Sequence, residues 1–123
     1  SWNQVRLMQK HRITFGGHTV NHPFLSRLES HEFLWEVSEC KRRIEEETQV
    51  QADYFAYPNG REEDFGMANK DLVRQAGYGA AVTTIWGVNG PSTDPFELRR
   101  GGPWEPHPAL FAWKLDWYEL MEA

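Results

Sequence analysis

His18 and His22 are the residues of this chain best suited to chemistry, and their setting narrows what that chemistry is. They form a His-x-x-x-His pattern in a loop that Gly16 and Gly17 open and Pro23 closes. Imidazole nitrogens are borderline-soft donors suited to zinc and other late divalent ions. Glycine lets the backbone turn so that both rings can reach one ion. Spacing alone does not separate this reading from two ordinary polar loop histidines. Other ionisable residues have plainer explanations. Asp64 and Asp71 suit helix ends or the surface, and Asp94 lies in Ser92-Thr93-Asp94-Pro95, a turn signature. Arg99-Arg100 suits surface pairing with the many acids, although an anionic substrate group would also attract it. His107 stands in a Pro-rich loop.

The elements that must hold the histidine loop can be read from periodicity and caps. Ser1 with Gln4 has the form of a capping box, and Val5 and Met8 follow at helical spacing, which predicts a short helix over 2–10. The β-branched and aromatic run 12–15 predicts a strand that stops at the two glycines. Ser30 can cap a long helix over about 31–47, with Phe33, Val37, Cys40 and Ile44 on one face. Glu36, Glu39, Lys41, Arg42, Arg43 and Glu45 fall elsewhere, so this charge run is expected to be a solvated helix surface. A second strand is expected over 53–57, broken by Pro58-Asn59-Gly60. A helix over about 69–75 ends near Gly77, and a third strand covers 78–84. The Gly- and Pro-rich stretch 87–108 reads as loop, with an extended piece at Phe96-Glu97-Leu98. A last helix over 109–121 gathers Leu110, Trp113, Trp117 and Leu120 on one side.

Strands joined by helices lie parallel with right-handed crossovers, so the fold class is α/β. In such folds catalytic groups collect where strands end, and the histidine pair stands at such an end. A closed barrel needs about eight strands, so three leave open sheet edges. More chain, or a second copy of this one covering the edge as a homo-oligomer, is the expected remedy.

The bulk numbers bound the rest. A chain of 123 residues supports a single domain over 1–123 with a real core. Thirteen Lys and Arg against eighteen Asp and Glu give a net charge of -5, which disfavours a nucleic-acid partner. No apolar run of about 18 residues suggests a membrane span. Cys40 is the only cysteine, so no intrachain disulfide forms, which fits a reducing compartment such as the cytoplasm without requiring it. No signal peptide is visible, but Ser1 is not an initiator Met, and localisation stays open. The six Trp are read mainly as packing residues.

The stretch Phe15-Gly16-Gly17-His18-Thr19-Val20-Asn21-His22-Pro23 resembles the second motif of the polysaccharide deacetylase family, a carbohydrate esterase family. Phe55-Ala56-Tyr57-Pro58-Asn59-Gly60 looks like its third motif, in a variant form and at the expected distance. Leu72-Val73-Arg74-Gln75-Ala76-Gly77-Tyr78, followed by Ala80-Ala81-Val82, looks like the family's helix-Gly-aromatic-strand passage. The resemblance covers about residues 2–100. It implies a partial (β/α) barrel of the deacetylase type, with about three parallel strands and flanking helices. His18 and His22 would ligate a divalent metal, usually zinc. The substrate would be a carbohydrate with N-acetyl or similar acyl groups. Pro58 and Asn59 would contact it, and the backbone N–H near Asn59 would serve as an oxyanion donor; Tyr57 and Trp86 either line the sugar cleft or serve packing alone. The implied reaction is metal-assisted hydrolysis: water attacks the amide carbonyl as a base takes its proton. An acid then protonates the departing amine, leaving acetate and an amino sugar.

The match has gaps. The family's first motif is an Asp-Asp pair that supplies the base and the third metal ligand, and the sequence contains no Asp-Asp dipeptide. No Asp at all precedes His18. Ala56 stands where the family often has an arginine, and Asn59 where it often has an aromatic residue. The stretch comparable to the last motif, Phe96-Glu97-Leu98-Arg99-Arg100, lacks its histidine. The missing parts are mostly N-terminal, so the expected origin is the C-terminal portion of a longer deacetylase domain. The alternative is a catalytically incomplete carbohydrate-binding or scaffold domain derived from that family.

Overall fold

A two-stranded parallel sheet stands at the centre of the residues that the computed structural model describes, 1–101 and 106–121. Strand β1 (Tyr54–Ala56) pairs with β2 (Ala80–Val82), with Tyr54 opposite Ala80 and Ala56 opposite Val82. A single parallel bridge flanks each side: Gly17 with Phe55, and Val82 with Leu98. Four chain segments thus run side by side in sequence order, in a parallel α/β layer. The extended piece expected at 96–98 is present as the Leu98 bridge.

The strand expected over 12–15 does not form. Helix α1 (Trp2–Lys10) ends in tight turns, with Arg12 N–H donating to Gln9 O at 2.9 Å and Ile13 N–H to Met8 O at 3.2 Å. Arg12 then adopts a φ of 64°. Register also works against the strand: with Gly17 opposite Phe55, Phe15 faces Asp53, which lies before β1 begins. Only Gly17 makes the ladder bonds, donating to Tyr54 O and accepting from Ala56 N, both at 2.8 Å.

The helices sit close to their expected places. Gln4 Oε1 accepts from the Ser1 ammonium at 2.7 Å, so the predicted N-terminal box starts α1. Helix α2 (Ser30–Thr48) is capped by Glu29 rather than Ser30, with Glu29 N–H donating to Glu32 Oε2 at 3.1 Å. Helix α3 (Glu62–Phe65) has only one turn and was not expected. Helix α4 (Met67–Gln75) leads to Gly77, whose φ of 86° turns the chain toward β2. Helix α5 (Pro108–Met121) exposes Leu110, Trp113, Leu115 and Trp117; Leu120 lies outside the described side chains. No helix among the described residues is long and apolar enough to cross a membrane.

The core lies between the sheet and α2 with α4. Phe33 and Val37 of α2 and Val73 of α4 meet Phe55, Tyr57, Tyr78 and Ala81, with Leu25, Phe65 and Phe96 closing the sides. Each large apolar side chain so buried contributes roughly 1.5–3 kcal/mol. Charged residues of α2 depart from the expected solvated face, Glu36 furthest, at only 6% exposed. Lys41 is also largely covered, donating to Ala52 O at 2.6 Å and standing 4.8 Å over the Tyr78 ring.

Candidate metal centre

The histidine loop leaves the sheet at Gly17, and glycine is required there. A Cβ on Gly17 would lie 2.1 Å from the Tyr78 hydroxyl oxygen, and one on Gly16 would lie 2.4 Å from Tyr54 O. The next residue, His18, places Nδ1 2.7 Å from Ala56 O. A carbonyl can only accept, so Nδ1 carries the proton, and in the neutral ring Nε2 keeps its lone pair. Thr19 and His22 both hold left-handed φ values, 65° and 55°. Such backbone costs on the order of 1–3 kcal/mol per residue and persists only where its surroundings hold it. The Thr19 hydroxyl is one such restraint, accepting from His22 N–H at 3.0 Å. Glu36 is another: its Oε2 accepts from Val20 N–H at 2.8 Å and Asn21 N–H at 3.0 Å, and its Oε1 from Asn21 Nδ2 at 2.7 Å.

These restraints bring the two imidazoles edge to face, with ring centroids 4.9 Å apart and planes at 71°. Two rings sharing a tetrahedral zinc at about 2.0–2.1 Å per nitrogen would hold their centroids roughly 5 Å apart. The pair therefore has the spacing of two ligands to one ion. Among the described residues, no group of three or more His, Cys, Asp and Glu side chains is placed to hold a metal. The donors present amount to a two-imidazole half-site.

The second loop follows β1 beside the first. Asn59 has a φ of 60° and Gly60 of 72°. Thr84, just past β2, fixes them: its hydroxyl donates to Asn59 O at 2.7 Å and its N–H to Gly60 O at 2.8 Å. A Cβ at Gly60 would meet Thr84 N at 2.9 Å. Asn59 is exposed, and among the described residues no acceptor takes its N–H. Trp86 is 41% exposed and packs beside Gly101.

Two of the expected substrate contacts need correction. Tyr57 is 1% exposed; its ring stacks on Phe65 with centroids 4.4 Å apart, and its hydroxyl donates to Phe96 O at 2.9 Å. Burial pushes its phenol pKa well above the usual range. Side chains two apart on extended chain share a face, and Tyr57 follows Phe55 into the core. Pro58 is fully buried as well. Neither side chain lines a surface cleft.

The remaining acids and bases are placed as ordinary structure. Asp64 accepts from Arg61 N–H at 3.1 Å at the start of α3, and Asp71 pairs with Arg74. Asp94 accepts from Phe96 N–H at 2.9 Å within its turn and from Lys70 Nζ at 2.8 Å. His107 O caps the first turn of α5, and its ring is exposed. The Asn89 side chain pairs with the Arg99 backbone, its Nδ2 donating to Arg99 O at 2.8 Å and its Oδ1 accepting from Arg99 N–H at 2.9 Å. Glu36 was missed by charge alone, yet a signal existed. Phe33, Glu36, Val37 and Cys40 follow the i, i+3, i+4, i+7 stripe of a core-facing helix.

Residues 1–81 match the family model described as polysaccharide deacetylase. No match was found among the curated proteins. Among solved structures, the chain is similar to the Streptococcus pyogenes deacetylase PplD in complex with acetate. That match has 24% identity and a TM-score of 0.76, over 81% of this chain and 43% of that one. It is similar to IcaB from Ammonifex degensii at 23% identity and TM-score 0.74, over 97% of this chain and 53% of that one. A mutant of a CE4 family pseudoenzyme also matches, at 21% identity and TM-score 0.59, over 71% of this chain and 30% of that one. The chain thus spans about half or less of the length of these structures and shares their fold.

Proposed function

The chain belongs to the polysaccharide deacetylase family, and from that premise we propose that it forms part of a metal-dependent hydrolase removing N-acetyl or similar acyl groups from a carbohydrate. The observation that carries this reading is the convergence of His18 and His22, 4.9 Å apart, where one parallel segment leaves the sheet. His18 and His22 would hold a divalent cation, zinc by the chemistry of the donors. When bound, the ion supplies Lewis acidity toward a water and toward the acyl carbonyl.

The chain's own residues supply orientation. Ala56 O holds the His18 ring with its Nε2 lone pair available. The N–H of Asn59, on a backbone pinned by Thr84, is offered to the oxygen that gains charge as the carbonyl is attacked. The exposed ring of Trp86 presents an apolar face to a sugar. Hydrolysis also needs a base to take the water proton and an acid to return one to the departing amine. We assign neither role to a residue of this sequence.

A second reading is a carbohydrate-binding or scaffold domain. It is favoured by the absence of any Asp-Asp dipeptide, and a pseudoenzyme is among the structures that share the fold. Acetate release from short N-acetylglucosamine oligomers, with zinc added, separates the two. Release that disappears in a His18→Ala, His22→Ala variant supports the hydrolase. Oligomer binding without acetate release supports the second reading and overturns the first for this chain.

A further inference from the structure

Between the two imidazoles lie three residues, and the middle of that segment is held by a carboxylate from another element. Val20 N–H, Asn21 N–H and Asn21 Nδ2 all donate to Glu36, at 2.8, 3.0 and 2.7 Å. We propose that Glu36 is a positioning residue for the His18–His22 pair, presetting both imidazoles for one divalent cation. The inference rests on the metal reading above and adds to it a residue that touches neither ion nor substrate.

The chemistry of the grip favours this role. An ionised carboxylate only accepts, and here both of its oxygens face donors from the loop. Charged acceptors make shorter and stronger hydrogen bonds than neutral ones. The base of the grip is rigid, since Phe33 and Val37, three residues before and one after Glu36, are fully buried. The loop it holds is one that would not keep its shape freely, with Thr19 and His22 both in the left-handed region. Among the described residues no Lys or Arg forms an ion pair with Glu36. A buried carboxylate without a cationic partner is costly, and a cation at the imidazole pair would offset part of that cost.

Zinc affinity, measured by competition with a chromogenic chelator, tests the proposal. The wild-type chain is compared with Glu36→Gln, with Asn21→Ala and with the His18→Ala, His22→Ala double variant. Thermal midpoints are recorded in excess chelator. Glu36→Gln keeps the side-chain size but replaces one acceptor oxygen with a donor. It is expected to weaken zinc binding about 10–100-fold while remaining folded, the range for residues that orient metal ligands. Asn21→Ala removes a single bond at an exposed residue and is expected to weaken binding by less; it decides the matter if Glu36→Gln does not fold. A purely structural role would lower the thermal midpoint and leave zinc affinity unchanged, which would overturn the proposal. Wild-type binding no stronger than that of the double histidine variant would overturn the metal reading, and this inference with it.

Discussion

The Nδ1 of His18 stands 2.7 Å from the carbonyl oxygen of Ala56, so the last residue of β1 sets the tautomer of a histidine 38 positions earlier. Parallel pairing makes this possible. Gly17 is in register with Phe55, and the residue after each then lies at the same end of the sheet. The expected outcome is observable without any metal. Long-range proton–nitrogen NMR of the neutral ring should show His18 protonated at Nδ1, with a bare Nε2. The opposite tautomer would mean that the Ala56 contact does not orient the ring.

Gly17→Ala tests the close approach that opens the loop. The added methyl would collide with the buried Tyr78 hydroxyl, which donates to Val37 O at 3.1 Å. Overpacking of this kind costs about 1–3 kcal/mol. Urea unfolding should show that loss, and zinc binding should fall with it because the loop starts at the same residue. Unchanged stability would mean that Tyr78 moves aside freely.

Tyr57→Phe separates packing from substrate contact. The hydroxyl lost is buried on Phe96 O, so stability should fall by about 0.5–1.5 kcal/mol. Affinity for an N-acetylated oligomer should not change. Trp86→Ala should do the reverse, weakening the oligomer and leaving the unfolding midpoint nearly unmoved. Isothermal titration with both variants checks the pair, and a drop in oligomer affinity for Tyr57→Phe at full folding would restore Tyr57 to the cleft.

Lys70 ties α4 to the segment before the Leu98 bridge, with Nζ 2.8 Å from both Asp94 Oδ2 and Glu97 Oε2. Its hydrogen bonds to Asp94 and then Glu97 raise the ammonium pKa, and Lys70 with the Phe96 N–H lowers that of Asp94. The lowered carboxyl contributes stability that is complete above its unfolded value of about 3.9 and lost as pH falls through the folded one. The raised ammonium contributes stability that is complete below about 10.4 and lost as pH rises through its folded value. The contribution of this cluster to the unfolding free energy should therefore hold level between those limits and decline beyond each. Lys70→Met should lower the plateau by about 1–2 kcal/mol, a reduced figure because both carboxylates are partly exposed. Chemical denaturation across pH reads both effects, and a variant with an unaltered plateau would contradict them.

Much of this arrangement is legible from residue order. The Ser1–Gln4 box and the Phe33, Val37, Cys40 stripe place α1 and α2, and Pro58-Asn59-Gly60 marks the end of β1. Where the structure departs from the expectations, tertiary context overrides local composition. Residues 12–15 have strand chemistry, but their register partners lie before β1. Glu36 has surface chemistry, but it occupies a core-facing position because the loop opposite supplies three donors. Tyr57 has binding-site chemistry, but it continues the inward face begun by Phe55. A four-residue helix such as α3 carries too few turns to show a period.

Zinc titration of the purified chain shows whether His18 and His22 bind one divalent ion together. One zinc per chain is expected. Binding should be lost in His18→Ala and in His22→Ala alike, while both variants stay folded. No zinc uptake by the wild-type chain, or equal uptake by the histidine variants, would contradict it.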